Sequence, residues 1–115
     1  MRGGSMEFIN LTPHGVKIIL PDGQELQLPP SGVVARCSES YTEVGTLNGV
    51  PVVQRKLGEV QGLPAPNDDT IYIVSSLVLS ACKGRKDVFA PDTGATALRN
   101  EAGQIIGVRR LIAAD

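Results

Sequence analysis

The dipeptide Asn48-Gly49 is the feature that most limits how this chain can fold. It lies between two runs of strand-forming residues, and Asn-Gly tolerates the positive φ angles that both central residues of a type I′ turn adopt. Because that turn joins antiparallel strands directly, the sequence predicts a hairpin formed by residues 43–47 and 50–55.

The same alternation of β-branched runs with Pro, Gly, Asn and Asp clusters predicts two further hairpins. The first joins residues 16–20 to residues 25–28 through Pro21-Asp22-Gly23-Gln24. The last joins residues 97–100 to residues 104–111. Hairpins leave sheet edges unpaired, and contacts between subunits commonly cover such edges, so we expect a homo-oligomer.

The middle of the chain carries the predicted helix. Residues 56–69 contain two glycines and two prolines with little periodicity, which indicates a connecting loop on the surface. Residues 70–74 then form a buried strand, after which Ser75 and Ser76 can cap a short helix that ends near Gly84. The predicted fold class is α+β, a small domain of mostly antiparallel hairpins with one short helix.

Length and charge restrict the function as well as the fold. A chain of 115 residues and 12.1 kDa has room for one hydrophobic core, which excludes a two-domain enzyme. Eleven Lys and Arg against twelve Asp and Glu give a net charge of −1, so the chain lacks the basic excess that duplex nucleic acid demands. No apolar run approaches the roughly 20 residues that span a bilayer.

The start of the sequence and its two cysteines indicate the cellular compartment. A second Met, Met6, opens the patterned sequence, so we interpret residues 1–5 as an expression leader and residues 6–115 as a single ligand-binding domain. Cys37 and Cys82 do not make a disulfide framework, and nothing like a secretory signal precedes them. We therefore expect reduced thiols and a cytoplasmic location.

The residues give little support for catalysis. His14 is the only histidine, and although Ser31, Ser75 or Ser76 could formally join it in a triad, no Gly-x-Ser-x-Gly elbow is present. One histidine and two distant cysteines lack metal-ligand spacing, and no phosphate-binding glycine loop is found. We predict no enzyme activity, no metal and no cofactor.

Residues 83–94, with Arg99, Asn100, Arg109 and Arg110 after them, combine basic groups, a loop aromatic and carboxylates. A ligand with phosphates and a base needs these parts: guanidinium forks for phosphate, an aromatic face for the base, and Asn or Asp for ribose. In the alternative interpretation Phe89 completes the core and Arg85 pairs with Asp87 at the surface, which composition favours.

Taken in order, the short motifs of the chain resemble those of the phage Thoeris anti-defence proteins of the first-described type. The resemblance covers residues 8–111, and its specificity comes from the order and spacing of the motifs. They are Asn10-Leu11-Thr12-Pro13-His14, Pro30-Ser31-Gly32 with Ala35-Arg36, Gly49-Val50-Pro51, Gly62-Leu63-Pro64, Tyr72-Ile73-Val74-Ser75, Arg85 with Asp87, and Gly103-Gln104-Ile105-Ile106-Gly107.

This resemblance implies a sponge, a protein that captures cyclic ADP-ribose isomers made by bacterial TIR-domain defence proteins and holds them intact. Some members also bind cyclic oligonucleotides of the CBASS type at separate sites. Members assemble as homodimers, often grouped into hexamers, with nucleotide pockets where subunits meet.

From the chemistry of the side chains we predict that Phe89 stacks on the adenine and that Asn100 and Asp92 bond to ribose or base. Arg109, with Arg85 or Arg99, is predicted to hold the pyrophosphate, and Ser31 and Arg36 are candidates for a second, cyclic-oligonucleotide site. Two other function classes stay open: a small hydrolase or lyase that degrades such a nucleotide through His14, and a phage protein-interaction module in which the Phe89 region contacts a protein.

Overall fold

The computed structural model describes residues 6–115, and the predicted leader at residues 1–5 lies outside the described residues. The described chain forms ten strands and one helix. In chain order these are β1 (Glu7–Asn10), β2 (Val16–Ile19), β3 (Glu25–Leu28), β4 (Arg36–Leu47), β5 (Val50–Gln61), β6 (Thr70–Ile73), α1 (Ser76–Ser80), β7 (Val88–Pro91), β8 (Leu98–Arg99), β9 (Ile105–Gly107) and β10 (Leu111–Ala113).

The strands form one central sheet and three separate hairpins. The central sheet has the order β1-β6-β7-β10; β1 and β7 run parallel to β6, and β10 runs antiparallel to β7. The hairpins β2–β3, β4–β5 and β8–β9 are all antiparallel. Most strand pairs in the described chain are therefore antiparallel, which confirms the predicted α+β class with one short helix.

All three predicted hairpins are present. The turn between β4 and β5 has φ of 50° at Asn48 and 81° at Gly49, the positive values that a type I′ turn requires. The last hairpin is shorter than predicted, because β9 ends at Gly107 and Leu111 instead opens β10, which pairs with β7 in the central sheet.

The predicted surface loop over residues 56–69 is wrong in its first part. Residues 56–61 continue β5, and their partners in β4 begin at Arg36. Gly58 lies at a register shift where its missing side chain leaves room for Ser38, whose Oγ would be 2.1 Å from a Cβ built at that position. Cross-strand pairing along a long ribbon thus overrides the weak local strand propensity of this segment.

The helix α1 is capped as predicted. Ser75 is the N-cap, and its Oγ accepts a hydrogen bond of 3.3 Å from the backbone N–H of Val78. Ser76 is the first helical residue and not the cap. Val78 and Leu79 are buried, so the helix packs its apolar side onto the sheet. Within residues 6–115, no helix has the length and apolar character needed to cross a membrane.

The main core cluster lies on one face of the central sheet, between that face, α1 and the base of the β4–β5 hairpin, while Ile73 is fully buried on the other face. Its buried members are Leu11, Ala35, Tyr72, Val74, Val78, Leu79, Cys82, Val88 and Ala90. Along β7 the burial alternates: Val88 and Ala90 are fully buried, whereas Phe89 and Pro91 are half-buried. Because successive side chains of a strand point to opposite faces, Phe89 and Pro91 belong to the other face of the sheet.

The molecule is extended for its size. Its radius of gyration is 16.8 Å, against about 13 Å for a compact chain of this length. The β4–β5 hairpin accounts for the difference, since only Cys37 and Val60 at its base pack against the core and nearly all residues beyond them are exposed. We call residues 39–57 the arm.

Candidate functional site

Arg85 and Phe89 line one open groove beside the central sheet. The groove has a volume of about 470 Å³. Its wall is completed by Met6, Pro66, Asp68, Ile71, Gly84, Lys86 and Asp87. Strand β7 positions the two predicted side chains, because Arg85 lies in the turn before the strand and Phe89 is on its less covered face.

Phe89 does not join the main hydrophobic core. The core cluster consists of residues on the opposite face of the sheet, and Phe89 is neither one of its buried members nor one of the half-buried side chains packed against it. Phe89 instead shares a face of the sheet with its cross-strand partner Ile73, which is fully buried. Part of the ring remains available to the groove, while its role towards a ligand stays a prediction.

Arg85 is held by three hydrogen bonds. Its Nε donates to Oδ1 of Asp87 at 2.9 Å, and its Nη2 donates both to Oδ2 of Asp87 at 3.0 Å and to the carbonyl of Pro64 at 3.0 Å. Asp87 also accepts from the backbone N–H of Asn67 at 3.3 Å. The ion pair lowers the pKa of Asp87 and raises that of Arg85, each mainly through their mutual hydrogen bond.

This geometry confirms the pairing of Arg85 with Asp87 and leaves one edge of the guanidinium for other partners. Among the described residues Nη1 of Arg85 makes no hydrogen bond. Lys86 is exposed beside it, so a second cation reaches the same groove. A guanidinium fixed in this way needs little reorganisation to receive an anion.

The side chain of Asp92 stabilises the local structure of a turn. It is buried, with 7% of its surface exposed, and its carboxylate accepts hydrogen bonds from Nε of Arg110, from the backbone N–H of Gly94 at 3.0 Å and from Oγ1 of Thr96 at 3.3 Å. The bond from Arg110, followed by that from Gly94, lowers the pKa of Asp92. These contacts account for Asp92 without a ligand.

Asn100 and Arg99 stabilise the turn of the last hairpin. Oδ1 of Asn100 accepts from the backbone N–H of Ala102 at 2.9 Å and of Gln104 at 3.0 Å. Arg99 donates to the carbonyl of Gly103 at 2.8 Å and to that of Thr93 at 3.3 Å. Arg99 and Asn100, which were both predicted to contact a ligand, therefore stabilise this turn, and Arg99 also connects it to the turn that contains Asp92.

The remaining predicted residues are dispersed. Arg109 is exposed and makes no hydrogen bond through its side chain within residues 6–115. Ser31 closes its own turn, since its Oγ accepts from the N–H of Val33 at 3.3 Å and donates to the carbonyl of Val33 at 3.2 Å. Arg36 is exposed at the start of β4. Two of the eight predicted ligand residues, Arg85 and Phe89, line one groove.

A second groove, which sequence reasoning missed, has a volume of about 750 Å³ and is mainly apolar. Its lining comes from β2, β3, the end of β7 and β9. It includes Val16, Leu28, Pro29, Pro30, Pro91, Ile105 and Ile106, with Lys17 and Thr93 as polar members. No local pattern could have pointed to it, because its residues meet only through the pairing of separate hairpins.

Asn10 is the second feature that sequence reasoning missed. Its side chain is almost fully buried, and Nδ2 donates to the carbonyls of His14 at 2.8 Å and Leu28 at 2.9 Å, while Oδ1 accepts from both N–H and Oγ1 of Thr12. His14 takes part through its main chain, and its ring belongs to an exposed turn residue. The Asn-x-Thr spacing, typical of a side chain that bonds two residues onward, was the available signal.

The metal-ligating and thiol side chains of the described residues are dispersed. Residues 6–115 contain no group of three or more His, Cys, Asp and Glu side chains that could hold a metal ion. Cys37 and Cys82 are free thiols, and burial raises the pKa of Cys82, which keeps this thiol protonated and unreactive.

Comparison of the chain with protein-family models, with curated proteins and with solved structures finds no match.

Proposed function

We propose that this chain binds a cyclic ADP-ribose-type nucleotide in the groove of Arg85 and Phe89 and holds it without cleaving it. The observation that carries the proposal is the placement of a half-buried aromatic ring and a braced guanidinium on the wall of one open groove of about 470 Å³. Stacking of a base on an aromatic ring is worth about 1–3 kcal/mol, and a guanidinium is the preferred partner of a phosphate.

The groove offers a place for each part of such a ligand. The adenine stacks on Phe89, and the pyrophosphate meets Nη1 of Arg85 and the ammonium of Lys86. Gly84 adds a stretch of backbone that a phosphate can approach closely, because its φ is 84° and no atom lies within 4 Å of the position a Cβ would take.

The proposal assigns no catalytic step. The ring of the only histidine is exposed, and the side chains of Ser31 and Ser75 bond to nearby backbone atoms, so neither serine is joined to a general base. The described lining of the groove contains no Ser, Cys or His, and the carboxylate of Asp87 is held in the ion pair with Arg85, which suits a sponge better than a hydrolase or lyase.

The wider setting of the proposal follows from the resemblance to the Thoeris anti-defence proteins. In that setting the protein works in the host bacterial cytoplasm and removes the nucleotide signal of a TIR-domain defence system. It assembles as a homodimer or hexamer, and a second site, with Ser31 and Arg36 as candidates, takes a cyclic di- or trinucleotide.

Calorimetry of the purified protein against cyclic ADP-ribose isomers and against cyclic di- and trinucleotides tests this function. The protein–ligand complex is then denatured by heat, and the released ligand is identified by chromatography. Tight binding with intact ligand supports the sponge. Conversion of the ligand would replace it with the hydrolase or lyase alternative, and no binding across the panel would favour the protein-interaction module.

A further inference from the structure

The arm is a two-stranded ribbon that projects from the domain with both faces exposed to solvent. The two strands of its hairpin are 12 residues each, and all but one residue of β4 and most of β5 are exposed. Ordering a backbone costs about 1–2 kcal/mol per residue, and an isolated two-stranded hairpin is marginally stable at best in water. A folded arm therefore needs a surface that covers it.

Exposed apolar side chains lie on both faces of the arm. Cross-strand partners share a face, so the pairing of Glu43 with Val53 and of Leu47 with Val50 places Val53 on one face and the Leu47–Val50 pair on the other. Val53 is 52% exposed and Leu47 is 70% exposed. Among the described residues, five of the ten exposed large apolar side chains belong to the arm: Tyr41, Val44, Leu47, Val50 and Val53. Such a concentration of exposed apolar side chains on one element marks a contact with another macromolecule.

The charges of the hairpin favour self-association over a polyanion. Its acidic side chains are Glu39, Glu43 and Glu59, and its basic side chains are Arg36, Arg55 and Lys56. Their sum is zero, so the hairpin has no excess of positive charge for nucleic acid or for anionic lipid, and two copies brought together do not repel each other.

The size of the arm matches what an association of two copies needs. Residues 39–47 extend for about 30 Å, and a two-stranded ribbon with its side chains is about 10 Å wide, so each face offers about 300 Å² in projection. Both faces together reach about 600 Å², the lower end of what a stable interface buries per partner. A stable association of two copies must therefore bury both faces of the arm.

We infer that two copies of this chain associate through their arms. One face of each arm contacts the arm of the other copy, and its other face contacts the body of that copy. The contact is isologous, because the same apolar surface is used by both copies. This inference deepens the proposed homo-oligomer and rests on that part of the proposed function, but it does not depend on nucleotide binding.

Sedimentation equilibrium without nucleotide, over a wide range of protein concentration, tests the inference with two matched variants. Val53→Lys places a charge on the arm beside its cross-strand partner Glu43, which preserves the hairpin while opposing burial. Val33→Lys changes an equally exposed valine outside the arm, since Val33 and Val53 are both 52% exposed. We expect Val53→Lys to weaken association at least about tenfold and Val33→Lys to leave it unchanged.

Hydrogen exchange of the backbone amides of the arm provides the second readout. In the associated wild type the arm amides are protected, and in the dissociated Val53→Lys variant they exchange faster while β6 and β7 stay protected. A monomeric wild type would overturn both this inference and the proposed oligomer. An associated wild type that Val53→Lys leaves intact would overturn the role of the arm alone, and nucleotide binding would then still be judged by calorimetry.

Discussion

Arg85 and Asp87 form a two-point ion pair, with Nε to Oδ1 at 2.9 Å and Nη2 to Oδ2 at 3.0 Å, on one wall of the proposed binding groove. The side chain of Asp87 is 11% exposed and that of Arg85 is 22% exposed. Because Arg85 also bonds to the carbonyl of Pro64, the pair fastens the segment before β6 to the turn before β7. One contact thus serves both the fold and the orientation of a cation.

Replacing Asp87 by Asn should destabilise the protein. The substitution removes the charge-assisted bonds to Arg85 and leaves the guanidinium without its counter-ion, so the free energy of unfolding should fall by about 1.5–3 kcal/mol in urea denaturation. Asp68→Asn is the control, since Asp68 lines the same groove in an exposed position. A change within about 0.5 kcal/mol for both variants would contradict a stabilising role for the pair.

The same pair makes a prediction about pH. The Arg85 hydrogen bond holds the pKa of Asp87 below its ordinary value of 3.8, so the folded state favours the carboxylate. The resulting stability is fully present well above pH 3.8 and is lost as the pH falls through the lower, folded pKa. The difference in unfolding free energy between wild type and Asp87→Asn should therefore be constant near neutral pH and shrink in acid; growth of the difference in acid would reverse the assignment.

Replacing Phe89 by Ala should weaken nucleotide binding. If the ring stacks on the adenine, the loss is about 1–3 kcal/mol, measured by calorimetry on a variant whose circular dichroism shows that it is folded. Val33→Ala shortens an exposed apolar side chain outside both the groove and the arm and serves as the control. Equal affinity of Phe89→Ala and wild type would refute the stacking role.

The elements of this fold that sequence could predict are those with local causes. Asn48-Gly49 specifies its turn through backbone conformation, and Ser75 specifies the start of α1 through one side-chain oxygen. The extension of β5 to Gln61 and the departure of Leu111 into the central sheet depend on partners distant in the sequence. Long-range pairing of that kind leaves no local pattern.

The candidate site follows the same division. Residue chemistry pointed to Arg85 and Phe89, which are close in sequence and lie in one groove. It also pointed to Asp92 and Asn100, because a polar side chain that closes a turn has the same chemistry as one that contacts a ligand. Only the hydrogen bonds of those residues to neighbouring backbone atoms distinguish the two cases.

The adjacent serines at the start of α1 give a prediction with its control built in. Ser75→Ala removes the cap that accepts from the N–H of Val78 and should lower the free energy of unfolding by about 1 kcal/mol. Ser76→Ala changes the first helical residue, whose side chain makes no hydrogen bond within the described chain, and Ala is a good helix former. Thermal or urea unfolding should separate the two variants; equal loss in both would show that the cap contributes nothing.

Asn10 supports the most specific stability prediction, because the nitrogen and the oxygen of its side-chain amide have different hydrogen-bond partners. Its Nδ2 donates to two main-chain carbonyls, those of His14 and Leu28, while its Oδ1 accepts from Thr12. Asn10→Asp keeps the shape but replaces the donor with an oxygen that faces both carbonyls in a buried position. The free energy of unfolding should therefore fall by at least about 1–3 kcal/mol in urea denaturation.

Asn48→Asp is the matched control for that substitution. Asn48 is exposed, and Asp-Gly also suits a type I′ turn, so the same chemical change should cost little there. The loss in Asn10→Asp should diminish in acid, where protonation of the new carboxyl restores one donor towards the carbonyls. A loss of similar size in both variants, or one independent of pH, would mean that the polarity of the Asn10 amide does not hold β1 to the end of β3.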